Sequence, residues 1–146
     1  MPETSKNHTI SFDPNPTQKD IDFFFRKISS EAETVADFPK NHNMIGFFIR
    51  DNEGNIAGGV IGEIAWQWLY ILYAWLREDL RNQGYGTLLM EKAESEAIKQ
   101  GCGNSYLQTF DTQAPGFYKK LGYEVYGTLD DIPPGHTRLY MKKKLI

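Results

Sequence analysis

The chain has 146 residues, of which 40% are hydrophobic and 14% aromatic, enough for one packed core and too few for two. That composition excludes a disordered or collagen-like chain, and a net charge of −3 argues against a large basic nucleic-acid footprint. The single cysteine, Cys102, excludes an internal disulfide and a multi-thiolate metal site. The longest apolar run, around Trp68 to Leu76, is too short to span a bilayer, and Met1 to Lys6 lacks the pattern of a secretory signal. The expectation is one cytoplasmic domain over residues 1–146, with the polar residues 1–8 flexible. Charge is unevenly spread: residues 1–63 carry 10 acidic and 6 basic side chains, residues 77–146 carry 9 and 10. An acidic front half and a near-neutral back half suit a cationic partner on one side and an anionic one on the other, although most such charges simply form a solvated face.

In chain order, Thr9–Phe12 reads as a short strand, followed by the turn Asp13-Pro14-Asn15-Pro16. Thr17 with Asp20 three residues on is a helix start, and Ile21, Phe24, Phe25 and Ile28 have helical spacing to about Ser30. A second short helix is expected over Glu31–Asp37, ended by Pro39. Met44–Arg50 and Asn55–Glu63 read as a hairpin around Asp51-Asn52-Glu53-Gly54. Gly58, Gly59 and Gly62 in its second strand suggest close packing or a bulge. Gln67–Leu76 is nearly all aromatic and aliphatic, which predicts burial on both faces.

A helix follows over Thr87–Gln100, with Leu89, Ala93 and Ala97 facing the core and Glu91, Lys92, Glu94, Glu96 and Lys99 on the far side. Gly101 suits the left-handed position that ends it. Ser105–Phe110 is a strand, Gln113–Leu121 a short helix with Pro115 in its first turn, and Tyr123–Leu129 and Thr137–Lys144 close the chain as two strands. The order predicts a mixed α/β domain around one sheet.

The informative segment is Arg81-Asn82-Gln83-Gly84-Tyr85-Gly86, at a strand-to-helix join. Glycines there let a ligand approach the backbone, and first-turn amides have no partner inside the helix. Such a turn binds an anion, naturally a phosphate, with Arg81 and Arg77 adding charge; the same glycines also serve a merely tight turn. A dinucleotide fingerprint is excluded by Leu89 at the third glycine position, and a P-loop by the absence of Gly-Lys-Ser/Thr.

This segment resembles the Arg/Gln-x-x-Gly-x-Gly/Ala signature of the GNAT superfamily of N-acetyltransferases. Downstream, Ala114-Pro115-Gly116-Phe117-Tyr118-Lys119-Lys120-Leu121-Gly122-Tyr123 resembles that family's Ala-x-x-Phe-Tyr-x-x-x-Gly-Phe/Tyr segment. Both motifs stand in the family's order, and the resemblance runs over roughly residues 55–127 of a small bacterial-type member. It implies an α/β GNAT fold: a central mixed, mostly antiparallel sheet splayed at the acyl-CoA site and flanked by helices on both faces. It further implies transfer of the acetyl group of acetyl-CoA to a primary amine by direct ternary-complex transfer.

By position, the resemblance gives Trp75 and Leu76 the backbone groups that hold pantetheine, with the Leu76 amide polarising the thioester carbonyl. It gives the phosphates to Gln83, Gly84, Tyr85, Gly86 and Thr87, with Arg81 beside them, and puts Asp111 where relatives carry an Asn that contacts pantetheine. Asp111 could equally cap the following helix. Tyr118 matches the family's general acid, a role that a neutral phenol can fill; the other reading is an interface tyrosine. Gln67–Leu76 has no carboxylate, so Glu63 is the nearest base, with Asp111 and His136 behind it and an exposed carboxylate beside a turn as the other reading. Gly135-His136 is shared with a small bacterial subgroup carrying Gln-Ala-Pro-x-Phe-Tyr. His136 also reads as an ordinary loop residue, and Cys102 as a structural thiol.

The expected partner is a small-molecule amine acceptor, cationic in character, with no metal, nucleic acid or membrane, and with homodimerisation open. Asp20, Asp22, Glu31, Glu33, Phe23, Phe24, Phe25, Trp66, Trp68, Asp130 and Asp131 could hold such a cation, or serve as core and solvated surface. The competing readings are a non-catalytic acyl-CoA-binding regulatory module, acetylation of a peptide or protein amine, and a toxin-type enzyme acting on charged tRNA. The overall charge speaks against the last.

Overall fold

Ile45, Phe47 and Ile49 alternate with Met44, Gly46 and Phe48, and this period of two opens the sheet of the computed structural model, which describes residues 7–35 and 42–146. The chain divides into two units, residues 1–38 and residues 39–146. In the first, Thr9–Phe12 is irregular rather than a strand. Among the described residues no strand pairs with these four, so they have no ladder to join.

One helix, α1 (Gln18–Val35), follows. It starts with a reciprocal cap: the Asp20 amide donates to Thr17 Oγ1 at 3.1 Å and the Thr17 amide to Asp20 Oδ2 at 3.0 Å. Hydrogen bonds from Thr17 hold the Asp20 carboxyl below its ordinary range. No break occurs at Ser30, so the first part of the expected second helix belongs to α1. No proline or glycine interrupts residues 18–35, and the remainder of that expectation lies outside the described residues. The expectation of flexibility over residues 1–6 lies there too.

The second unit contains β1 (His42–Arg50), β2 (Ile56–Ala65), β3 (Trp68–Leu76), α2 (Tyr85–Lys99), β4 (Asn104–Phe110), α3 (Pro115–Lys120), β5 (Glu124–Asp130) and β6 (Thr137–Lys144). The strands form one mixed sheet in the order β1-β2-β3-β4-β6-β5, with β3 and β4 parallel and every other pair antiparallel. The β1–β2 hairpin closes through Asp51, whose Oδ1 accepts the amides of Glu53 and Asn55 at 3.0 Å each. Trp66 and Gln67 form the two-residue β2–β3 turn with φ of 51° and 65°, so Gln67 belongs to the turn and not to β3. Both devices suggested by the β2 glycines are present: β2 has an extra residue, Ala57, beside Gly58 where β1 passes from Ile49 to Arg50, and a Cβ on Gly62 would lie 2.7 Å from Leu69 Cδ1. The shift opposite Ile61 and Gly62 belongs to β3, where Leu72 is the extra residue.

One face of the sheet carries the core, where Val60, Ile64, Leu69, Ile71, Leu107 and Met141 meet Leu89, Met90, Ala93 and Ala97 of α2. Phe117 and Tyr118 of α3, with Leu121 just beyond its end, pack against the same cluster. Glu94 departs from the expected solvent face and is buried. Lys143 Nζ lies 3.0 and 2.9 Å from its two oxygens, and the Tyr123 hydroxyl donates to Oε1 at 3.1 Å. A second contact links the Tyr123 hydroxyl to Ser105 Oγ at 2.9 Å. A charge on the core side is therefore paired and hydrogen-bonded, as burial requires. Burial, reinforced by the nearby carboxylate, holds the Tyr123 phenol far above its ordinary value.

β3 is buried only in its first half. Leu69 and Ile71 are enclosed, whereas Tyr73 and Trp75 are 68% and 53% exposed. The expectation of two covered faces fails because the neighbouring strand leaves β3 after Ile71.

Removing Lys143 leaves a buried carboxylate without its cation, so Lys143→Met should cost about 3 kcal/mol in urea unfolding at pH 7. The double change Glu94→Leu/Lys143→Met should recover part of that loss. Equal stability of wild type and Lys143→Met would show the pair to be energetically idle.

Candidate active site

Parallel pairing of β3 with β4 lasts for four residue pairs, Trp68 with Asn104 through Ile71 with Leu107, and then stops. Beyond it, Tyr73–Leu76 keep their pairing to β2 while the opposite edge of β3 has no strand beside it. That edge carries main-chain groups that a ligand can pair with. Two cavities open along it, of about 540 and 610 Å³. Ala74, Trp75, Leu76, Arg81, Ala114 and Tyr118 line both.

The first cavity ends at the start of α2. Gly84 takes φ of 87°, in the left-handed region, and a Cβ there would meet no atom within 4 Å. No side chain caps the helix, so the first-turn amides of Tyr85, Gly86 and Thr87 are available to an anion. The helix begins at Tyr85, two residues earlier than its sequence suggests, and this puts the whole glycine turn at its positive end. Gly86 has a packing role as well: a Cβ would stand 3.1 Å from Phe117 Cζ, so its absence lets α3 close on α2. Arg81 lines the cavity while its Nε donates to the Leu76 carbonyl at 3.1 Å. Lys120, at the end of α3, adds a second cation.

Other expected residues are engaged elsewhere. Gln83 turns back, its Nε2 donating to the Asp79 carbonyl at 2.6 Å, and lines neither cavity. Arg77 is engaged by Asp79 at 2.6 Å and Asp51 at 3.2 Å, so its charge is spent on the β1–β2 turn rather than on an anion. Those carboxylates push the Arg77 guanidinium above its ordinary value. Asp111 accepts the Thr137 amide at 3.1 Å and sits 3.3 Å from His136 Nδ1. It bridges β4 to β6, lines neither cavity and does not cap α3.

Tyr118 reaches both cavities from α3, in edge contact with Phe117 and Tyr123 at centroid distances of 5.1 and 6.1 Å. Burial raises its phenol above the ordinary value, so the hydroxyl stays protonated through neutral pH. Glu63 lies on β2 opposite Tyr70, with Oε1 2.6 Å from His42 Nε2, and lines neither cavity. Phe117, a motif residue, lines the cavity too, whereas Asn82 and Lys120 are cavity residues that the sequence does not single out; the positive φ of Asn82 and the helical offset of Lys120 from Phe117 appear only once the turn and α3 are built. Among the described residues no group of three or more His, Cys, Asp or Glu side chains could hold a metal ion, and no helix is long and apolar enough to cross a membrane. Cys102 is buried, and burial raises its thiol.

A splayed mixed sheet with a glycine turn and an uncapped helix at the opening forms a site for an extended ligand that carries an anionic group. Residues 14–123 match the model of the acetyltransferase (GNAT) family. Blasticidin-S acetyltransferase of Streptomyces morookaense is 40% identical over 93 residues, which are 63% of this chain and 68% of that protein. The crystal structure of an acetyltransferase from Bacillus cereus superposes with a TM-score of 0.81 at 30% identity, covering 92% of this chain and 97% of that one. A Bacillus anthracis protein assigned as a streptothricin acetyltransferase, solved with acetyl coenzyme A, shares the fold (TM-score 0.62, 19% identity, 74% of this chain and 66% of that one). The chain belongs to the GNAT family and is an acetyl-CoA-dependent acetyltransferase.

At 100 times its Kd, acetyl-CoA should stabilise the protein by about 2.7 kcal/mol, which for a chain of this size raises Tm by roughly 5–10 °C. Gly86→Ala pushes Phe117 away from α2 and should shrink that shift. An unchanged melting curve with acetyl-CoA would remove the ligand from this site.

Proposed function

We propose that the protein transfers the acetyl group of acetyl-CoA to a primary amine of a small cationic molecule, directly within a ternary complex. The observation that carries this reading is the parting of β3 from β4 beside the Gly84–Gly86 helix start, with Tyr118 reaching both sides of the opening. The similarity to an enzyme named for a small molecule, blasticidin S, favours a small acceptor over a protein one.

The residues present suit acetyl-CoA. The first-turn amides of α2 and the Arg81 guanidinium hold the phosphates, and the free edge of β3 pairs with pantetheine through Ala74 and the Leu76 amide; Trp75, opposite Gly59, turns its own backbone groups to β2, and the Leu76 carbonyl is held by Arg81. When bound, acetyl-CoA supplies an activated acyl group and a thiolate leaving group. The Leu76 amide stabilises negative charge on the acyl oxygen. Tyr118 donates its proton to the departing sulfur, and its raised phenol keeps that proton available across the working range.

Glu63 takes the proton of the acceptor ammonium through water. It is the one carboxylate on β2, β3 or β4, and it lies one row of side chains along the sheet and one strand across from the opening. His42 orients it. Two half-buried rings, Tyr70 and Tyr106, stand beside Glu63, so a cation meets a carboxylate and π faces together.

Release of free CoA thiol across a panel of amines and peptides tests the reading. Small diamines or aromatic amines should turn over faster than lysine peptides, and a preference for peptides would reverse the assignment. Tyr118→Phe and Glu63→Gln should each lower kcat/KM about 10²-fold or more. Because the Tyr118 phenol titrates above its ordinary value of about 10, kcat should show no alkaline fall below pH 10. A fall centred near pH 8–9 that persists in Tyr118→Phe would assign the acid role elsewhere.

A further inference from the structure

The sheet face opposite α2 carries an aromatic platform next to the opening. Leu69 and Ile71 point into the core, so Trp68 and Tyr70 point to the other face. Tyr106 of β4 stands opposite Tyr70 in the parallel register. The Tyr70 and Tyr106 rings are 4.4 Å apart at 40°, and Trp68 meets Tyr106 edge-on at 5.6 Å and 71°. All three are half-buried, leaving part of each ring open.

The same row continues to Glu63 on β2 and Lys142 on β6. One row further on, Gln108 lines the larger cavity and donates its Nε2 to the Tyr70 hydroxyl at 2.8 Å. Platform and opening are thereby joined by one hydrogen bond, about 6.6 Å from row to row. Nearby cations are already seated: Arg138 over Phe110 at 5.1 Å and Lys142 over Tyr126 at 5.9 Å. Among the described residues none lies over Trp68, Tyr70 or Tyr106. Burial raises both phenols, so the platform carries no charge of its own near neutral pH.

A bare polyamine would meet Glu63 and the ring faces only through its ammonium and leave most of the ring surface in water. A flat ring gains from stacking on that surface, while an amine one row away reaches the parted strands. We propose that Trp68, Tyr70 and Tyr106 form the acceptor-specificity subsite, and that the acceptor is an amine joined by a short linker to a flat aromatic or heteroaromatic ring. This rests on the acetyl-transfer reading above.

The test compares tryptamine with 1,4-diaminobutane, followed by CoA thiol release and, separately, by calorimetric binding to the CoA-saturated enzyme. Tryptamine should have a kcat/KM at least tenfold higher, through KM, and bind at least tenfold tighter. Tyr106→Leu should bring both ratios towards one, and Tyr106→Phe should keep them, which separates loss of the ring from loss of the fold. Equal binding of the two amines, or ratios unchanged in Tyr106→Leu, would overturn the subsite. Tight, ring-dependent binding without turnover would leave the subsite standing and overturn the transfer reading instead.

Discussion

The separation of β3 from β4 after Ile71 and Leu107 is the constraint on which the rest of the site depends. A sheet interior normally satisfies every backbone donor and acceptor by strand pairing, and an opening leaves some of them without partners. Here the opening persists because each strand is held from its other side. β2 pairs with β3 as far as Leu76, and β6 pairs with β4 as far as Phe110. The two halves of the sheet are thus separately rigid, and the opening is a fixed feature of the fold. Leu76 carries both functions at its end: β2 holds its position, and its carbonyl receives Arg81.

That geometry accounts for the residues around it. α2 starts directly beyond β3, so its positive end faces the opening, and Gly84 lets the chain turn without blocking it. α3 closes the far side through Phe117, which fits because Gly86 has no side chain. Tyr118, one residue on, then faces both cavities. Burial of its ring disfavours the phenolate and leaves a neutral donor at the opening.

Much of this is legible in the sequence, for reasons that differ between elements. β1, β2, β4 and β6 follow period-two patterns, and Gly101 and Gly122 mark helix ends with φ of 91° and 99°. Local chemistry suffices there. The exposed half of β3 cannot be read in the same way, because an apolar run carries the same letters whether it is covered by protein or kept for a ligand. Glu94 escapes the pattern for a related reason. It sits one position from Ala93 and four from Met90, at the edge of the core stripe, and its partners Lys143, Tyr123 and Ser105 come from distant parts of the chain. Arg77 and Gln83 look like anion ligands by proximity in sequence, whereas Asp51, 26 residues upstream of Arg77, and the Asp79 carbonyl claim them in space.

The opening also divides the chemistry between the two faces of one sheet. On the face of α2 and α3, the surroundings are helix amides, Arg81, Lys120 and Tyr118, which suit phosphates and a leaving thiolate. On the other face stand Glu63 and the rings of Trp68, Tyr70 and Tyr106, which suit a cation and a flat group. A sheet is one backbone thick, so groups bound on opposite faces meet where the strands part and nowhere else. This arrangement leaves the basic groups and the carboxylate on separate faces, out of contact with each other. Arg81 and Glu63 would otherwise attract each other; the sheet keeps them apart.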